Sequence, residues 1–203
     1  TLIKRTIYLI KEKQLQPEEI MIVTFTEKAA NELVSRLSNE LLKIGLNLNV
    51  NEMYIGTFHS ICLRILKENI AKTRLKKNFR LMDEFEQQYF VYSHFYEFKN
   101  IDGFETVFSN NKSVWDKCSE LIKYISSITE EMIDEEQLLK DENLYINFIG
   151  KVVKSYNDMR KNENLLDFSS IMSETYNLLN DNEELLHEYQ DKIKYIMIDE
   201  YED

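Results

Sequence analysis

Six consecutive residues, Ile20-Met21-Ile22-Val23-Thr24-Phe25, form a continuous apolar, β-branched run. A strand of this kind can leave neither face to water, so it belongs in a parallel sheet covered on both sides. The residues that follow, Thr26-Glu27-Lys28-Ala29-Ala30-Asn31-Glu32-Leu33, open on a capping hydroxyl and continue through good helix formers, which predicts a helix to about Ile44. Residues 53–58 repeat the arrangement as a short strand, ahead of a helix from His59 to about Asn69. The run Tyr195–Ile198 supplies a third strand.

Elsewhere the spacing is helical. Four glycines and a single proline, Pro17, give 203 residues few turn signals, so long helices are expected and an all-β fold is excluded. Leu2, Ile3, Ile7, Leu9 and Ile10 place an amphipathic helix over residues 1–14, with a loop at Pro17. A helix already under way at residue 1 predicts a chain that begins earlier. Between Phe79 and Leu166 nothing reads as a strand, so residues 79–166 are expected to be an all-helical insertion in an α/β core of residues 1–78 and 167–203. Helices are expected over 83–98, 112–126, 142–161 and 167–179, with Asn162-Glu163-Asn164 as the return linker. The first carries Phe85, Tyr89, Phe90, Tyr92, Phe95, Tyr96 and Phe98. At helical spacing this stripe reads as core, with a base-stacking platform as the alternative, and Trp115 is read the same way.

The net charge of −11 opposes indiscriminate binding to phosphate, yet the charge is uneven. Arg64, Lys67, Lys72, Arg74, Lys76, Lys77 and Arg80 cluster with only Glu68 among them, whereas the stretch from Asp181 is acidic. One face can therefore meet a phosphate backbone while another holds a metal; a solvated basic turn is the alternative. The longest apolar runs are too short for a bilayer and the start is not a signal peptide, so no membrane contact and a cytoplasmic location are expected. Cys62, Cys118 and three histidines show no zinc spacing; the cysteines are expected to be reduced thiols on apolar helix faces.

Three strand ends carry chemistry: Thr24-Phe25-Thr26, Gly56-Thr57-Phe58-His59-Ser60, and Asp199-Glu200. In a parallel sheet all three lie on one carboxyl edge, where ligands bind. Helix N-termini there present free N–H groups and a positive dipole end to phosphates. Thr26, Thr57 and Ser60 add hydroxyls, Phe25 and Phe58 can stack or wedge against bases, and Gly56 allows close backbone approach. His59 either donates to a phosphate or ties down its own loop. Asp199 is the candidate Mg²⁺ residue, acting through the ion's water shell, and Glu200 the candidate that polarises the attacking water. A buried strand with a solvated acidic tail is the competing reading.

The segments TFTEKAANEL (residues 24–33), IGTFHSICLRIL (55–66), LLDFSSIM (165–172) and YIMIDEYED (195–203), in this order, resemble the first ATPase core of superfamily 1 DNA helicases of the UvrD/Rep/PcrA type. The resemblance implies a partial RecA-like parallel sheet with an inserted all-helical subdomain. It implies that Thr24, Phe25, Thr26, Thr57, Phe58 and His59 line a single-stranded DNA path. It assigns the Mg²⁺-linked aspartate to Asp199 and the catalytic glutamate to Glu200. The sequence departs from the family at Glu27, where an asparagine is common; at Glu202, where a glutamine is usual; and after Asp167, where a second acid is often found. An acid on a phosphate path costs affinity.

No G-x-x-x-x-G-K-[ST] phosphate loop occurs in the chain. The expectation is thus a fragment of an ATP-dependent helicase that moves on single-stranded DNA and unwinds duplex in repair or recombination. ATP and Mg²⁺ serve the parent protein, and the isolated chain is expected to bind neither and not to hydrolyse ATP. Repair or replication proteins are expected to dock through the helical insertion. The motor of a helicase–nuclease, and a non-catalytic DNA-binding or protein-docking module, are the alternatives.

Overall fold

The computed structural model describes residues 2–108 and 111–199. It is mostly helical with a small parallel sheet, in two compact units: Thr1–Leu66 with Thr175–Asp203, and Lys67–Glu174. The chain begins with α1 (Leu2–Lys13), β1 (Ile20–Val23), α2 (Glu27–Lys43), β2 (Tyr54–Gly56) and α3 (Phe58–Glu68). It continues through β3 (Arg80–Leu81), α4 (Glu84–Ser93), α5 (Phe95–Lys99), α6 (Phe104–Val107), α7 (Val114–Glu130), α8 (Glu135–Lys140), α9 (Leu144–Asn162) and β4 (Leu165–Leu166). Then come α10 (Phe168–Asn180), α11 (Glu183–Lys192) and β5 (Tyr195–Ile198).

In the first unit the strands run parallel in the order β2-β1-β5. Ile20 and Ile22 of central β1 are fully buried and pack with Leu9, Leu37, Leu41, Val50 and Met53, as a strand apolar on both sides requires. The strand ends at Val23, two residues before the sequence predicts. The cause is local: Thr24 Oγ1 donates to Thr26 O at 3.1 Å and turns the chain. β5 is half covered, with Tyr195 and Met197 against the core and Ile196 and Ile198 exposed. Cys62 is half-buried and Cys118, in the other unit, fully buried; both are free thiols. Burial raises both, that of Cys118 to about 11.

The second unit has its own core, in which Phe98, Phe104, Phe108, Phe148, Leu121 and Val152 are inaccessible to solvent. Two expectations change here. The predicted absence of strands is overturned by a two-residue parallel pair, Arg80 with Leu165 and Leu81 with Leu166. Two residues are too few to show an alternating pattern. The aromatic stripe also divides. Phe90 and Phe98 are core, but Phe85, Tyr89, Tyr92 and Tyr96 are exposed: the single helix expected over 83–98 is broken at His94 into α4 and α5, so the seven rings lie on two helices and only part of them faces the core. Trp115 is 39% exposed and stands against Phe85 and Tyr92, with ring centroids 6.2 and 5.6 Å away. Of the expected return linker, Asn162 closes α9, and residues 162–164 lie inside the second unit, which runs on to Glu174; Asn164 follows the helix at φ 58°, and its Oδ1 accepts from Lys76 N at 2.8 Å.

Candidate nucleic-acid interface

Strand register builds the site. Val23 stands level with both Gly56 and Ile198. One step further, Thr24 N–H donates to Gly56 O and Asp199 N–H to Val23 O, each at 2.9 Å. The loops after β1, β2 and β5 therefore leave the sheet side by side at its carboxyl edge.

The two loops that enter helices share a cap. Thr26 Oγ1 accepts from Ala29 N at 3.1 Å and Thr26 O from Ala30 N at 3.0 Å, which starts α2. Thr57 Oγ1 accepts from Ser60 N at 3.2 Å and Thr57 O from Ile61 N at 3.0 Å, which starts α3. Both helices thus turn their N-terminal, positive ends toward the edge. Phe25 and Phe58 sit beside the caps with 76% and 51% of their surface exposed. Exposing two large rings next to two helix N-termini costs a folded protein apolar burial and is what base stacking needs.

The remaining candidates lie differently. Thr24 is 3% exposed and its hydroxyl is engaged inside the turn, so it shapes the loop from within. His59 is half-buried on the first turn of α3. Gly56 has its reason inside the protein, because a Cβ there would collide with Ser60 Oγ, which donates to Thr57 O at 3.0 Å. Asp199 is exposed at the strand end, while Glu200 and Glu202 lie outside the described residues. Among the described residues no group of three His, Cys, Asp or Glu side chains could hold a metal ion. A single exposed carboxylate such as Asp199 can meet the water shell of a divalent ion but is not a cage for it.

Two residues acquire roles that their types alone did not specify. Arg64, placed by sequence in the basic cluster, donates to the carbonyls of Asn51, Glu52 and Met53 and stacks over Tyr54 at 4.1 Å. Its guanidinium anchors the loop before β2 and is removed from the phosphate-facing set. Glu27 receives the hydrogen of Thr57 Oγ1 at 2.9 Å, joining the first turn of α2 to the cap of α3. The signal for Glu27 was its departure from the family pattern.

In the second unit, Asp167 is buried. Its Oδ1 accepts from Ser170 N at 2.9 Å and caps α10, and its Oδ2 accepts from Tyr156 OH at 2.7 Å. Gln87 donates to the same phenol at 3.1 Å. Arg160 donates to Leu165 O and to Glu174 Oε1, both at 3.0 Å, and lies 3.6 Å from Asp167 Oδ2. Burial, and then the Asp167 charge, push the Tyr156 phenol up, so it stays a neutral donor.

The family described as the UvrD/REP helicase N-terminal domain matches residues 1–203. The chain is 31% identical over 202 residues to an ATP-dependent DNA helicase PcrA of Staphylococcus epidermidis, a match covering 98% of this chain and 25% of that protein. It is 30% identical over 207 residues to an ATP-dependent DNA helicase Rep of Buchnera aphidicola, covering 100% of this chain and 28% of the relative. It is 32% identical over 213 residues to the ATP-dependent DNA helicase SRS2 of Saccharomyces cerevisiae, covering 100% and 18%. The chain spans about a quarter of the length of the first two relatives and less of the third.

Proposed function

The chain belongs to the UvrD/REP helicase N-terminal domain family, and from that premise we propose that its carboxyl edge is the single-stranded DNA track of an ATP-dependent helicase motor. The observation that carries the reading is the pair of exposed rings, Phe25 and Phe58, each beside a threonine cap on one edge. Phosphates lie at the N-termini of α2 and α3, bases stack on the two rings, and Thr26, Thr57 and His59 donate to the backbone. Thr24 holds the first loop in shape. The sheet of residues 1–78 and 167–203 is a partial RecA-like core, and residues 79–166 are a helical insertion that offers a surface to repair or replication proteins.

In the parent, which uses ATP to step along DNA and separate duplex in the cytoplasm, Asp199 would help hold Mg²⁺, which would supply charge to the phosphates, and Glu200 would polarise the attacking water. This chain, with no phosphate-loop sequence, does not hydrolyse ATP by itself. Among the described residues no helix is long and apolar enough to cross a membrane.

The test is the affinity of the full-length protein for a labelled 20-nucleotide oligo(dT). Phe25→Ala and Phe58→Ala should each weaken binding by roughly tenfold, the value of one lost stack, with little change in stability. Wild-type affinity in both variants overturns the assignment of the edge. Glu200→Gln should abolish turnover and spare nucleotide binding, because it keeps shape and loses the base; unchanged turnover removes Glu200 from its role.

A further inference from the structure

We propose that Glu27 is a built-in competitor for phosphate at Thr57, a residue that lowers the affinity of this edge for DNA. The inference rests on the reading of the edge as a DNA track. A threonine hydroxyl has one hydrogen to give and can accept as well. At Thr57 the accepting side takes Ser60 N–H at 3.2 Å, and the hydrogen has two acceptors in reach, Ser60 Oγ at 3.2 Å and Glu27 Oε1 at 2.9 Å, of which the carboxylate is the nearer and the charged one. The one donor that Thr57 could offer a phosphate oxygen is already given to a carboxylate.

The same carboxylate acts a second time. Glu27 is the first residue of α2, where an acid complements the positive helix end. It therefore occupies the two features that attract a phosphate to this loop, the hydroxyl of Thr57 and the dipole of α2. Both Glu27 and its bond are exposed to solvent, so the side chain can swing away when a phosphate arrives. The phosphate must displace it and then sit beside its charge. That penalty is Coulombic and falls as salt rises.

Charge and tether can be separated. Glu27→Gln keeps an oxygen that accepts from Thr57 and removes the charge, whereas Glu27→Ala removes both. In the full-length protein, Glu27→Gln should tighten binding to 20-nucleotide oligo(dT) by roughly 3- to 10-fold at 50 mM salt, with the gain shrinking toward none at 300 mM. Thr57→Val should weaken binding, and in that background the gain from Glu27→Gln should be smaller, since part of the competition has lost its site. Unchanged or weaker binding by Glu27→Gln, with Phe58→Ala still weakening binding, makes Glu27 a loop tie only and overturns the proposal alone. If Phe25→Ala, Phe58→Ala and Thr57→Val all bind as wild type, the edge is not the track and both readings fall.

Discussion

Two polar clusters, one in each unit, come from segments of equal prominence in the sequence and do opposite work. The cluster around Asp167 is enclosed: the side chains of Arg160 and Asp167 are each 3% exposed and Glu174 is 17% exposed. The cluster around Thr57 is open, its bond to Glu27 lies at the surface, and two phenylalanine rings beside it are bare. An enclosed polar group must keep every partner, because water cannot replace a lost one. An open one can exchange its partners for those of a ligand at small cost. The LDF segment is thus a fastening, holding α9, β4 and α10 together, and the two threonine loops are a surface for exchange.

Loss of Arg160 should cost the most. Arg160→Met leaves the buried Asp167 and the partly buried Glu174 without their cation, and a buried unpaired charge costs about 3–5 kcal/mol. Urea unfolding should show the loss in full, and a loss under about 1 kcal/mol would mean that water reaches the cluster and that the contrast between the clusters is false. The guanidinium is already imperfectly held. Its Nε, 3.6 Å from Asp167 Oδ2, is the one buried side-chain polar atom without a hydrogen bond among the described residues. Replacing Arg160, Asp167 and Glu174 together by apolar side chains of similar volume should therefore cost far less than replacing Arg160 alone.

A smaller effect sharpens the other side. Gly56→Ala drives a methyl into Ser60 Oγ, and overpacking of this kind costs about 1–3 kcal/mol. The double variant Gly56→Ala with Ser60→Ala should recover most of that, since the clash is with the hydroxyl and the Ser60 Cβ stands at an ordinary 3.5 Å. Failure to recover would place the strain in the β2 backbone instead. Either outcome is read by urea unfolding beside DNA affinity, because the Ser60 hydroxyl also closes the Thr57 turn.

Much of the first unit was legible because its signals are local. A run apolar on both faces, a capping threonine and a stretch of alanine and leucine each act within one turn of chain, and β1, α2 and α3 stand within two residues of expectation. What could not be read depends on distance. The Thr57–Glu27 bond joins residues 30 apart, and no local rule says which way a glutamate on a first turn will lean. Arg64 looked like its basic neighbours, yet a tyrosine and three carbonyls presented by the preceding loop were waiting for it. The aromatic stripe was misjudged for a related reason: periodicity assigns residues to one face only while the helix is continuous, and the break at His94 divides the stripe between α4 and α5. The Asp167 cluster draws on four separated stretches of chain, Gln87, Tyr156–Arg160, Asp167–Ser170 and Glu174, so its enclosure was invisible to any window of sequence.

The smallest test is at Thr26, whose one hydroxyl caps α2 at the open edge. Thr26→Ala removes the acceptor for Ala29 N–H and leaves Thr26 O available to both Ala30 N–H and the Thr24 hydroxyl. The loop should therefore keep its course while α2 loses about 1 kcal/mol, the usual worth of a capping hydroxyl. Hydrogen exchange at the first turn of α2 should rise with no change in the protection of α9. Should the protection of α9 fall as well, or the loss match that of Arg160→Met, the edge is not assembled from local caps. Its exchangeable surface would then be as deeply tied into the fold as the Asp167 cluster, and the two clusters would no longer be distinct in kind.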